Sequence, residues 1–154
     1  MFRVSCIQLK SNNNILYNLK KTEQLISKAV KQKSDFILTP EISSLFSLEK
    51  KRLLKICKSM EEDIYLNGIK KLAKKYKKWI LIGSLIIKIS KNKLVNRSVL
   101  IDQTGLIRTY YDKKPKQVDN WCKVLSKSFG NVKLSGAYIP SFDCNWNFAS
   151  SIMK

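Results

Sequence analysis

Apolar residues in this 154-residue chain change their spacing from alternate positions to helical stripes and back again, and an α/β arrangement accommodates that order. Residues 2–9, Phe-Arg-Val-Ser-Cys-Ile-Gln-Leu, alternate and are rich in strand formers. The polar Ser11-Asn12-Asn13-Asn14 stretch then supplies a turn and a helix N-cap. A helix is predicted over 14–32, with Ile15, Leu16, Leu19, Ile26, Ala29 and Val30 on one stripe and Lys20, Lys21, Lys28 and Lys31 largely opposite. Residues 35–39 form a short apolar run that Pro40 stops, because proline cannot donate to a central ladder. Helical spacing returns over 48–77, with Leu53, Leu54, Ile56 and Cys57, then Ile64, Leu66, Ile69, Leu72 and Ala73, although Gly68 weakens that stretch. Strands are predicted over 79–89, 94–102 and 106–112, joined by turns at 90–93 and 102–105. Strands alternating with helices and then following one another directly imply a mixed sheet of α+β type, covered by helices on one face.

The composition suits a packed domain: 44% of residues are hydrophobic and 10% aromatic. No histidine is present, which excludes a Ser-His-Asp triad, a Cys-His dyad and any His-bearing zinc site. Catalysis would rest on Cys, Lys, Asp, Glu, Tyr or Ser. Cys6, Cys57, Cys122 and Cys144 contain no CxxC pair, so they support neither a zinc knot nor a disulfide frame, and each reads first as a small packing residue. The N-terminal residues lack a long apolar leader and no run approaches a membrane span, so a cytoplasmic protein without membrane contact is expected. The net charge is +19, yet 26 of the 30 basic residues are Lys, the poorer bidentate reader of phosphates and bases. The charge is also spread along the chain, so a solvated lysine surface is expected rather than specific nucleic-acid binding.

Two charged residues stand at strand ends, where active sites of such sheets tend to lie. Glu41 follows Phe36-Ile37-Leu38-Thr39-Pro40, and Lys113 follows Ile107-Arg108-Thr109-Tyr110-Tyr111-Asp112. Alone, each also reads as a solvated loop charge. Their flanks resemble the nitrilase, or carbon–nitrogen hydrolase, superfamily, and most closely its omega-amidase and deaminated-glutathione-amidase branch. Val4-Ser5-Cys6-Ile7-Gln8-Leu9 is similar to the family's opening strand, and Asp35-Phe36-Ile37-Leu38-Thr39-Pro40-Glu41 to its "aDlivlPE" segment. Ile82-Gly83-Ser84 resembles "iGGs" with one glycine missing. Residues 94–102 resemble "lyNtsvliD", and Gly105 to Lys113 resembles "GkliaxYrK".

The resemblance implies that residues 1–113 form the N-terminal half of an αββα sandwich. It further implies a Glu-Lys-Cys apparatus acting on a small amide or nitrile, with Glu41 as proton carrier and Lys113 stabilising an oxyanion. No metal or organic cofactor is needed in that scheme. Glu41 and Lys113, 72 positions apart, should then converge at a shared strand-end cleft. After Lys113 the family's "KiHlfD" and "GxxiCyDlrfPe" patterns are missing, and residues 114–154 read as an irregular tail, as a shifted reading frame or an early stop would produce. Cys144, 31 positions beyond Lys113 in Phe142-Asp143-Cys144-Asn145, is the candidate nucleophile; Cys122 fits less well, and Cys6 lies within the first strand. A chain with that tail is expected to be a poor amidase or none. Half a sandwich leaves apolar surface to cover, implying a homo-oligomer or a non-catalytic partner role. A basic binding module would use the one cluster where aromatics interleave with Lys: Tyr110, Tyr111, Lys113, Lys114, Lys116 and Trp121.

Overall fold

The structure, a computed structural model, describes residues 2–112. Five strands and three helices follow in the order β1 (Val4–Cys6), α1 (Ile15–Lys31), β2 (Phe36–Thr39), α2 (Lys50–Ile56), α3 (Ile64–Tyr76), β3 (Trp79–Ser90), β4 (Lys93–Ile101) and β5 (Ile107–Asp112). The strands form one sheet in sequence order. Pairs β1–β2 and β2–β3 are parallel, and β3–β4 and β4–β5 antiparallel. Parallel neighbours need a crossover, which α1 provides between β1 and β2 and the α2–α3 segment provides between β2 and β3; antiparallel neighbours need only the turns at Lys91-Asn92 and 102–105. This is the mixed sheet that the apolar spacing predicts.

Helices α1 and α3 cover one sheet face. Ile26 and Ala29 of α1 pack with Tyr65, Leu66, Ile69, Leu72 and Ala73 of α3 over Ile37, Ile80, Ile82, Leu85, Val99 and Ile101. The opposite face carries the alternate positions, Leu38, Leu81 and Leu100 in cross-strand register, with Ser98 and Asn96 further along β4. A bulge at Gly83–Ser84 breaks the alternation of β3, so both Ile82 and Leu85 face the helices.

Three expectations shift. The 48–77 helix is two helices, because Cys57 leaves the helical region (φ −64°, ψ 143°) and Asp63 starts a new helix by accepting from the Leu66 N–H at 2.7 Å. The buried stripe of α1 runs through Asn18, Thr22, Ile26 and Ala29 rather than Leu16, which is 63% exposed. Polar residues are affordable there because each is satisfied: the Thr22 hydroxyl pairs with Tyr65 Oη at 2.9 Å, and Asn18 binds two backbone carbonyls. Burial pushes the Tyr65 phenol up to about 12, so it serves as a neutral hydrogen-bonding group. Strand β1 is three residues rather than eight, since only Val4, Ser5 and Cys6 find register partners on β2. The expected N-cap holds: Asn14, in extended geometry, accepts from the Tyr17 N–H at 3.0 Å.

Candidate functional site

Thr39 ends β2 fully buried, and the chain turns at once through Pro40, Glu41 and Ile42. Ile42 takes φ 51°, a left-handed conformation that a β-branched residue adopts only under constraint. The constraints are hydrogen bonds to the β3 bulge. Ser84 Oγ accepts from the Ile42 N–H at 2.9 Å, and the Ser84 carbonyl accepts from the Ser43 N–H at 2.9 Å. Ser43 Oγ donates to the Pro40 carbonyl and pairs with Thr39 Oγ1 at 2.9 Å, while Ser98 Oγ donates to the Gly83 carbonyl. From the helix side, Asn18 Nδ2 donates to the Ser44 carbonyl at 2.9 Å and the Asn12 carbonyl at 2.8 Å, and the Phe46 N–H reaches Asn12 at 2.9 Å. The loop that carries Glu41 is thereby fastened to β3 and α1.

The Glu41 side chain is half-buried, and its Oε1 accepts from Asn96 Nδ2 at 2.9 Å. Asn96 comes from β4, on the sheet face opposite α1 and α3. A strand-end carboxylate therefore meets a neutral donor across 55 positions of sequence. The next strand is fastened beside it. Arg97 Nε and Nη2 grip Asp112 at 2.6 and 2.9 Å, its guanidinium lies 4.0 Å from the Tyr110 ring centre, and its Nη1 donates to Met60 Sδ at 2.8 Å. The Asp112 hydrogen bond holds the guanidinium firmly in its charged form against the cost of partial burial.

Glu41 is thus placed at the end of β2, as the sequence predicts. Lys113 and Cys144 lie outside the described residues, as do Cys122 and the whole 114–154 segment. Of the aromatic–lysine cluster, Tyr110 and Tyr111 are described; as neighbours on β5 they point to opposite faces and form no single stacking platform. Cys6 is exposed on β1 and Cys57 is buried. Burial, with the Asp63 carboxylate adding to it and Lys88 offsetting it, pushes the Cys57 thiol up to about 12, which leaves it an unreactive packing group. Among the described residues no cluster of three metal-binding side chains occurs, and no helix is long and apolar enough to cross a membrane.

Asn96 and the hydroxyls around Glu41 were not singled out from sequence as site residues. Asn96 sits inside the 94–102 segment whose resemblance was noted, and strand alternation separates it from the helix-facing Val95, Val99 and Ile101. The missing signal was which face of β4 meets Glu41.

A family profile, carbon-nitrogen hydrolase, matches residues 3–144. No curated relative matches the sequence. Among solved structures, the chain is similar to the C. elegans NitFhit protein at 24% identity and a TM-score of 0.65, covering 73% of this chain and 29% of that one. It is similar to an N-terminal amidase bound to a Gln-Gly peptide at 22% identity and 0.65, covering 73% and 28%. It is also similar to the NitN amidase of Nesterenkonia sp. AN1 at 17% identity and 0.65, covering 73% and 44%. These likenesses show the fold, and the chain spans less than half the length of each of those proteins. The profile match runs 31 positions past Lys113, through the stretch in which no motif was legible, and ends at Cys144. With a mixed sheet of the same fold and a glutamate fastened at the end of its second strand, the chain belongs to the carbon-nitrogen hydrolase family.

Proposed function

We propose that this chain carries the base of an amidase-type reaction, hydrolysing the C–N bond of a small amide through Glu41, Lys113 and Cys144. The observation that supports it most is the Glu41 carboxylate, held at the end of β2 by Asn96 on the sheet face opposite α1 and α3, in a chain of this family. In the reaction, Glu41 takes the thiol proton of Cys144 and the thiolate sulfur bonds to the amide carbon. The Lys113 ammonium faces the oxygen as it becomes negative. As the C–N bond breaks, Glu41 returns the proton to the departing nitrogen, releasing ammonia or an amine and leaving a thioester. Glu41 then deprotonates water, which attacks the thioester carbon and frees the carboxylic acid and the thiol.

The branch resemblance directs the substrate class to ω-amides of small oxo acids, and a thiol nucleophile suits the cytoplasm, where thiols stay reduced. Weak turnover is expected of this chain, because no apolar strand pattern precedes Cys144 to hold its thiol beside Glu41. The test is ammonia release from α-ketoglutaramate by the full 154-residue chain. Release should be weak, should vanish in Glu41→Gln, Lys113→Ala and Cys144→Ala, and should persist in Cys6→Ala. Release that survives Glu41→Gln contradicts the assignment.

A further inference from the structure

Asn96 is 4% exposed, yet only one end of its carboxamide is matched. Its Nδ2 donates to Glu41 Oε1 at 2.9 Å. A carboxylate oxygen accepts and cannot donate, so this contact fixes the orientation of the Asn96 amide: nitrogen toward Glu41, oxygen away. That oxygen, Oδ1, is buried and has no hydrogen-bond partner among the described residues. A carbonyl oxygen taken out of water without a donor is costly, and such atoms are rare in folded proteins unless something else completes them.

The chemistry of the neighbouring carboxylate says what would complete this one. Resting on the reading of Glu41 as the proton carrier, the leaving nitrogen of the substrate has to come close to Glu41. In a primary carboxamide that nitrogen carries two N–H groups; in a nitrile it carries none. We propose that Asn96 is a two-ended positioning residue: Nδ2 orients the Glu41 carboxylate, and Oδ1 accepts an N–H from the nitrogen of a bound primary carboxamide. The site thereby selects carboxamides over nitriles of the same shape. A nitrile would leave Oδ1 buried and unmatched in the complex, whereas a carboxamide removes that penalty on binding. Asn96 Oδ1 would then hold one N–H of the nitrogen while Glu41, carrying the proton taken from the thiol, faces the same nitrogen and gives it that proton as the C–N bond breaks.

The experiment follows the side-chain amide of Asn96 by nitrogen-15 NMR in the full chain, its signals identified by their loss in Asn96→Asp. The probes are propionamide and propionitrile. The expected result is that Glu41→Gln moves the Asn96 signals in the free protein, and that propionamide shifts the same signals while propionitrile leaves them in place. Propionamide should also bind about tenfold more weakly to Asn96→Ser, the loss of one hydrogen bond. Equal response to both probes, or propionamide binding that leaves the Asn96 signals still, overturns the inference, as does no propionamide binding at all. The wild-type comparison of the two probes decides the matter even if the Asn96 variants fail to fold. If Asn96 responds to propionamide while Glu41→Gln leaves ammonia release unchanged, the binding role stands and the hydrolytic reading falls.

Discussion

Glu41 is presented by small residues rather than by large ones. Thr39, Ser43, Ser84 and Ser98 knit the turn after β2 to the bulge of β3, and Gly83 makes the fit possible. A Cβ at Gly83 would collide with the Thr39 carbonyl oxygen and come within 2.8 Å of the Pro40 carbonyl, both backbone groups that cannot swing aside. Gly83→Ala is therefore expected to cost about 2 kcal/mol by overpacking, read as a lowered urea midpoint, and to weaken any Glu41-dependent activity. Asp63 gives a pH-dependent prediction. Burial raises its carboxyl above the ordinary aspartate range, although the Leu66 and Tyr65 N–H groups pull it down. The native state therefore keeps a proton that the unfolded chain has already released, so the stability this group contributes is full below the ordinary carboxylate range. It is lost as pH rises through the raised native value. Asp63→Asn, which keeps a capping oxygen, should gain on wild type as pH is raised across that range, whereas Asp63→Ala should lose about 1 kcal/mol with the cap. A wild-type minus Asn difference that stays constant in urea melts between pH 3 and 7 would contradict the burial argument. At this scale Glu41 was legible because Pro40 ends an apolar run immediately before it. Asn96 and the hydroxyls were not, because their roles depend on which strand lies opposite.

Elements were easier to read than their ends. All five strands and the first helix follow from apolar spacing, which reflects burial on one side and survives in the sequence without knowledge of partners. The single helix expected over 48–77 was wrong because its apolar residues keep a helical stripe on both sides of a break, and the break is made by local capping at Asp63. Gly68 looked like a weakness in that stretch and is instead a contact. A Cβ there would lie 2.6 and 2.7 Å from the two Leu19 methyls, so the missing side chain lets α3 approach α1. Gly68→Ala is expected to be near neutral, since the Leu19 methyls end a flexible, half-buried side chain that can shift and the helix-propensity gain of about 1 kcal/mol offsets the crowding. In a Leu19→Ala background the same change should be stabilising. A double-mutant cycle in which the two effects simply add would contradict the close approach.

Across the whole chain, the fold class was readable from the order of strands and helices, and the family from short motifs around Glu41, Ser84, Asn96 and Lys113. The motif reading stopped at Lys113, while the profile match continues to Cys144; weak similarity spread over a long stretch escapes a search for short fixed patterns. The net charge of +19 had no part in the assignment, because lysines distributed over a surface describe solvation rather than a site. The account turns on one residue: Glu41, set by Asn96 at the end of β2, as the proton carrier of amide hydrolysis. The most direct test is the rate of ammonia release from α-ketoglutaramate by the purified chain, compared with Glu41→Gln, the change that keeps the shape and removes the base. The account predicts slow release by the wild type and none above background by the variant; equal rates in the two, whether measurable or nil, would contradict it.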